Sequence, residues 1–299
     1  MEFRVLRYFL AVTREQSISA AANALHLSQP TLSRQLKDLE DELGKQLFLR
    51  SNRKITLTEE GLLLKKRAEE IMALMQKTQQ EIALADDLLS GDIYIGAGET
   101  EEIRWLIKIM QQMRKAFPKV RFHILSGDKS SVLEELEHGL IDFALVFGAL
   151  DHTRYDSISL PSADCFGVMM KKEDPLAKKD VLFPKDLLDQ PLIVSRQILR
   201  DHDLPALLGC EEQQLHIVGS YNLLFNGSLM VEEGLGYAIC LDHIINTTGK
   251  SPLCFRPLST DVRPTLRLAW KKYPLFTKAA EKFLLAVQND ATVSKGNGK

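Results

Sequence analysis

The chain has 299 residues, with 38 Lys and Arg against 40 Asp and Glu and a formal charge of −2. With 45% hydrophobic and 26% charged residues it has a globular composition, which excludes a disordered chain, a disulfide miniprotein and a collagen-like repeat. The length predicts roughly two domains at about 150 residues each, and the near-neutral charge argues against a nucleic-acid partner unless a basic patch is hidden in the average.

Taken in chain order, Phe3, Leu6, Phe9 and Leu10 recur at helical spacing and predict an amphipathic helix over residues 3–14. Arg4 and Arg7 ahead of Tyr8–Val12 have the outline of a secretory signal. Arg14 and Glu15 interrupt it below the about 7–15 apolar residues required, so the reading is a cytoplasmic protein without a targeting segment. No apolar run approaches the ~20 residues that span a bilayer. Ser19 is placed to cap a second, alanine-rich helix.

Ser28 is placed to cap a third helix over residues 29–43, with Pro30 in its first turn and Gly44 at its end. Leu32, Leu36, Leu39 and Leu43 form one stripe that must bury. Gln29, Pro30, Ser33, Arg34 and Lys37 fall on another arc, offering an amide, a hydroxyl and cations. Such groups read base edges and hold phosphates, though an ordinary solvated helix face carries the same residue types. Phe48–Arg50 and Lys54–Thr58 then predict two short strands around Ser51-Asn52-Arg53. Residues 45–54 contain Lys45, Arg50, Arg53 and Lys54 and no acid, the make-up of a cationic wing that reaches a phosphate or a minor groove.

These residues carry a family resemblance. Phe9-x-x-Val12, Ser17–Ala22, Ala24-Leu25, Ser28–Ser33, Leu36, Leu39-Glu40, Leu43-Gly44, Leu47-Phe48, Arg50 and Thr56–Gly61 resemble the winged helix-turn-helix of LysR-type transcriptional regulators. The resemblance covers about sixty residues of the sequence. It implies a head that binds double-stranded operator or promoter DNA, followed by a domain that senses a small-molecule effector. It also implies a homodimer assembled into a tetramer, and RNA polymerase as a further partner. Position by position, Gln29, Pro30 and Ser33 match the family's major-groove contacts. Thr31, Arg34 and Arg50 match its backbone contacts, and Arg53 its wing residue. Ser28, Lys37 and Lys54 join the expected DNA-binding set from the cap, the helical face and the wing.

From Glu59 to about Leu89 there is no Pro, and Gly occurs only at 61. Leu64, Ala68, Ile71, Met75, Thr78, Ile82, Ala85 and Leu89 alternate steps of four and three. That pattern suits either a coiled coil with a second copy or a helix packed on its own domain. The expected domains are 1–58, a winged head; 59–90, a linker helix; and 91–299, an effector domain.

From Asp92 onward strands alternate with helices, which predicts α/β lobes on largely parallel sheets. The whole is an α+β multi-domain chain whose C-terminal part has two lobes, as in periplasmic binding proteins. The expected lobe crossings lie near Gly148–Arg154 and Leu258–Arg267. Ligands sit beyond strand carboxyl ends in such sheets. That rule, with the resemblance, selects Gly98, Thr100, Ser126, Gly127, Phe147, Ser195, Arg196 and Asn222 for the effector. Glu99, Glu101 and Glu102 open the helix expected over 99–117; they either cap it or face the cleft, where they disfavour a simple anion.

No cofactor or metal is expected. Gly96-Ala97-Gly98 is followed by Glu101 where a dinucleotide motif needs its third glycine. There is no Walker lysine and no G-x-S-x-G, so no catalytic residue is assigned. The four cysteines, Cys165, Cys210, Cys240 and Cys254, form no C-x-x-C and predict buried thiols, with a redox-sensing regulator of the same fold as the alternative. The charge is unevenly shared: residues 1–67 hold 12 Lys and Arg against 8 Asp and Glu, and the remainder 26 against 32.

Overall fold

Apolar residues at helical spacing build the N-terminal unit around one small core. In a computed structural model, residues 1–50, 55–82, 89–160 and 164–296 are described. The chain divides into two units, Met1–Ala83 and Leu84–Lys299.

In the first unit, α1 (Phe3–Glu15), α2 (Ile18–Ala24) and α3 (Gln29–Leu43) precede the antiparallel pair β1 (Phe48–Arg50) and β2 (Ile55–Leu57). Leu6, Phe9, Val12, Ala21, Leu32, Leu36 and Leu39 are buried together. Three details differ from the expectation. Phe3 is 56% exposed. The cap of α2 is Ser17, which accepts from the Ala20 amide at 3.3 Å, not Ser19. Leu43 is exposed, because the left-handed Gly44 (φ 65°) ends α3 there and Leu47 and Phe48 fill the core instead.

Helix α4 (Glu59–Ile82) starts against the same core. The Thr58 hydroxyl donates to the Gln46 carbonyl at 2.7 Å and accepts from the Gly61 amide at 2.9 Å. At Gly61 a side chain would lie 2.2 Å from the Leu47 carbonyl oxygen, so only glycine allows this approach. Leu64, Ala68 and Ile71 pack on the head's own core. The continuous seam expected for a partner copy is therefore divided, its first three positions being occupied within the chain. Beyond them Thr78 and Ile82 are exposed, as are Leu63 and Leu74 on another face. The expected seam positions Ala85 and, with it, the helix's continuation through 83–88 lie outside the described residues.

The second unit holds two mixed five-stranded sheets. Lobe I has the order β4-β3-β5-β12-β6: β4 (Val120–Ser126), β3 (Gly91–Ala97), β5 (Phe143–Phe147), β12 (Leu266–Lys271) and β6 (Tyr155–Ser159). Lobe II has the order β11-β7-β10-β8-β9: β11 (Leu253–Pro257), β7 (Phe166–Lys171), β10 (Tyr237–Leu241), β8 (Leu192–Ser195) and β9 (Ile217–Tyr221). Strands β3, β4 and β5 are parallel, as are β8, β9 and β10. Strand β12 runs antiparallel to β5 and β6, and β7 antiparallel to β10 and β11. In each lobe the reversed strand is the one that arrives from the other lobe.

Helices α5 (Ile103–Ala116), α6 (Lys129–Glu137) and α10 (Lys278–Gly296) belong to lobe I, and α7 (Arg196–Arg200), α8 (Leu204–Leu208) and α9 (Leu224–Glu232) to lobe II. Each lobe has its own buried cores. The first crossing lies between β6 and β7, and not at Gly148–Arg154, which stays inside lobe I between β5 and β6. The reason is that β6 pairs with β12 along Tyr155–Ser159 and so belongs to the first sheet. The second crossing lies in the expected region, between β11 and β12. Helix α5 begins at Ile103, leaving residues 99–102 as a loop, and the last helix begins at Lys278.

Candidate functional sites: a nucleic-acid interface and an interlobe cavity

Burial of Leu32, Leu36 and Leu39 fixes which face of α3 points outward. At its start the Ser28 hydroxyl accepts from the Thr31 amide at 3.3 Å and lies 2.7 Å from the Thr31 hydroxyl. Both side chains are thus engaged in the cap. Gln29, Pro30, Arg34 and Lys37 are exposed and Ser33 is half-buried. The Gln29, Ser33, Arg34 and Lys37 side chains make no hydrogen bond or ion pair among the described residues. An amide, a hydroxyl and two cations therefore project from one face of a helix whose other face is locked.

Sequence reading missed what holds the wing to this helix. The Glu40 carboxylate accepts from the Leu47 and Phe48 amides at 2.8 and 3.2 Å. The Ile55 amide donates to the Gln16 carbonyl at 3.1 Å. Arg50 lies on β1 opposite Ile55. Arg53 and Lys54 lie outside the described residues.

In the second unit, a cavity of about 270 Å³ opens between the lobes. Gly98, Gly127, Phe147, Ser195 and Asn222 line it, as do Glu99, Asp128, Gln197, Asp203, Tyr221, Cys240 and Arg263. Of the expected effector residues, Thr100, Ser126 and Arg196 are not among its lining. Thr100 is buried and its hydroxyl donates to Asp164 at 2.6 Å, tying the loop after β3 to the first crossing. Ser126 and Arg196 are exposed. Ser195 lines the cavity while capping α7, accepting from the Gln197 and Ile198 amides at 3.2 and 3.4 Å.

Several contacts bridge the lobes. Asp128 pairs with Arg200 at 2.8 Å, and Lys129 with Asp201 at 3.5 Å. The Gln197 amide accepts from the Lys129 backbone at 3.4 Å and donates to the Phe147 carbonyl at 3.5 Å. Burial works to raise the Asp128 carboxyl. Hydrogen bonds from the Ser131 amide, Arg200 and the Ser130 and Ser131 hydroxyls outweigh it and hold the group at about 2. Glu99 does not cap α5: its carboxylate accepts from the Leu224 amide at the start of α9, in the other lobe. Glu101 instead pairs with Arg104.

Tyr221 is buried and donates to the Ile239 carbonyl at 2.7 Å. Burial pushes its hydroxyl upward, and does the same to all four thiols. A redox-sensing thiol needs the opposite shift. Sequence reading found the cavity's strand-end loops but not Asp128 and Gln197, each two residues past its strand, nor Asp203, which follows α7. The signal was available at Asp128, where Asp-Lys-Ser-Ser is a helix-capping pattern.

The two units together are a winged helix-turn-helix head and a two-lobed sensor fold. The profile of bacterial regulatory helix-turn-helix proteins of the LysR family matches residues 3–62, and that of the LysR substrate binding domain matches residues 86–291. The chain belongs to the LysR family: it is a DNA-binding transcriptional regulator with an effector-binding domain. It is 33% identical over 199 residues to the HTH-type transcriptional regulator BsdA of Bacillus subtilis, covering 66% of this chain and 68% of that one. It is 35% identical over 196 residues to the regulator AlsR of the same organism, covering 64% of each. Full-length CbnR, a LysR family regulator solved with its target DNA, superposes with a TM-score of 0.75 at 20% identity, covering 97% of this chain and 100% of that one. At that identity the likeness speaks for the fold. No helix among the described residues is long and apolar enough to cross a membrane.

Proposed function

We propose that α3 enters the major groove of an operator, with Gln29, Pro30 and Ser33 against base edges and Thr31 and Arg34 against the backbone. Arg50, Arg53 and Lys54 then follow the wing, and Lys37 extends the cationic face. The observation that carries this is the outward face of α3, whose amide, hydroxyl and cations are free while Leu32, Leu36 and Leu39 are fixed beneath them. Recognition helices read bases from their N-terminal residues, where Gln29 and Pro30 stand. The small-molecule effector binds in the interlobe cavity and changes how strongly the lobes are held together.

The working unit is a homodimer, and a pair of dimers forms the tetramer. Helix α4 supports this with Leu63 and Leu74, both exposed and within about 20° of each other on a 3.6-residue helix. The protein works in the cytoplasm, contacts RNA polymerase at its promoters and carries no catalytic activity. Titration onto the chain's own upstream DNA and onto random DNA tests the reading. The parent should prefer the former and Gln29→Ala should relax that preference; equal binding of both DNAs by the parent overturns it.

A further inference from the structure

The interlobe cavity has a charge distribution that selects among ligands. Its wall carries Glu99, Asp128 and Asp203 against Arg263. Asp128 is balanced by Arg200. The Asp203 carboxylate makes no hydrogen bond or ion pair among the described residues. Burial and then the nearby Asp201 push it upward, against Lys129. Arg263 is exposed and already donates to the Thr260 carbonyl at 3.0 Å.

Glu99 is the decisive group. A helix N-terminus draws anionic ligands because its first amides point at them. At α9 the chain's own carboxylate holds that place, with the Leu224 amide as donor. A carboxylate ligand entering here displaces Glu99 and leaves it beside a second anion. A cation finds Glu99, which lines the cavity, still anchored. The rest of the lining includes Phe147, Leu207, Leu224 and Val262, which suit an apolar body. The volume, about 270 Å³, lies just under the ~300–1,000 Å³ of drug-sized sites, so the ligand is metabolite-sized.

We propose that this cavity takes a small primary amine, its protonated nitrogen on Glu99 and its carbon body against the apolar wall. The assignment rests on the reading of the cavity as the effector site. The test is calorimetric titration of the full-length protein with matched pairs: butylamine and butyrate, phenethylamine and 3-phenylpropionate. At least one amine should bind about tenfold or more tightly than its acid partner.

Glu99→Gln keeps an amide oxygen for the Leu224 N–H but removes the charge. It should keep a cooperative unfolding transition, with the midpoint lowered only slightly, and weaken the amine about tenfold or more. Preference for the acids, no amine binding up to roughly 10 mM, or an unchanged affinity in Glu99→Gln overturns the amine assignment. Leu207→Trp, which fills the cavity, separates the two readings. Acid binding that this variant abolishes keeps the cavity and removes the amine. Binding that neither variant touches removes the cavity itself.

Discussion

Helix α3 and the interlobe cavity handle polar side chains in opposite ways. On α3 Leu32, Leu36 and Leu39 are buried, while Gln29, Ser33, Arg34 and Lys37 make no side-chain hydrogen bond or ion pair among the described residues. Around the cavity several polar groups already have partners: Ser195 in a cap, Asp128 with Arg200, Glu99 with the α9 amide. A surface made for a large polyanion can stand ready in water. The cavity's polar groups are instead held in caps and by contacts across the lobes. Free display and internal engagement are thus two arrangements within one chain.

The comparison breaks most readily at the stripe beneath α3. Leu36→Ala removes a fully buried side chain and should cost about 2–5 kcal/mol. Thermal unfolding should show the loss in the head's transition and not in that of the second unit. The interlobe contacts are sharpened by acid. Asp128 is depressed from 3.8 to about 2, so its contribution is complete above pH 3.8 and is lost as pH falls toward 2. The effect is read as steeper acid destabilisation in the parent than in Asp128→Asn. Gln29→Ala should cost ~1–3 kcal/mol at one base position, relaxing preference there. Arg34→Ala should weaken binding to all sequences alike and lower the salt slope by about one, as seen in titrations at several salt concentrations. Ser17→Ala should cost about 1 kcal/mol through the α2 cap, the smallest shift in the unfolding midpoint.

The head was largely legible because its rules are local. Leucines at steps of four and three, Ser28 ahead of Pro30 and Gly44 at the end of α3 all act within a few residues. What joins the head was not legible: Glu40 reaching the wing amides, and Gly61 against the Leu47 carbonyl, depend on approach across the core. The heptad pattern of α4 carried no mark of which surface it meets, and Leu64, Ala68 and Ile71 meet their own head. In the second unit strand ends pointed to loops that line the interlobe cavity. Which side chains turn inward depends on the opposing lobe, so Glu99 and Leu224, far apart in sequence, could not be paired beforehand. Strand β6 is short and polar, Tyr-Asp-Ser-Ile-Ser, and reads as loop until β12 pairs with it. That one strand moved the first crossing.

The exchange of strands between lobes also sets an order of assembly. Strand β12 sits in the middle of the lobe I sheet, between β5 and β6, and brings Leu266, Leu268 and Trp270 into its core. Helix α10 adds Ala279, Ala280, Phe283 and Val287. During synthesis at about 5–20 residues per second, lobe I waits with an open sheet until lobe II has left the ribosome. The head is complete long before. A message cut short anywhere upstream of Leu266 is therefore expected to yield a complete head joined to a lobe I sheet that lacks its inner strand β12.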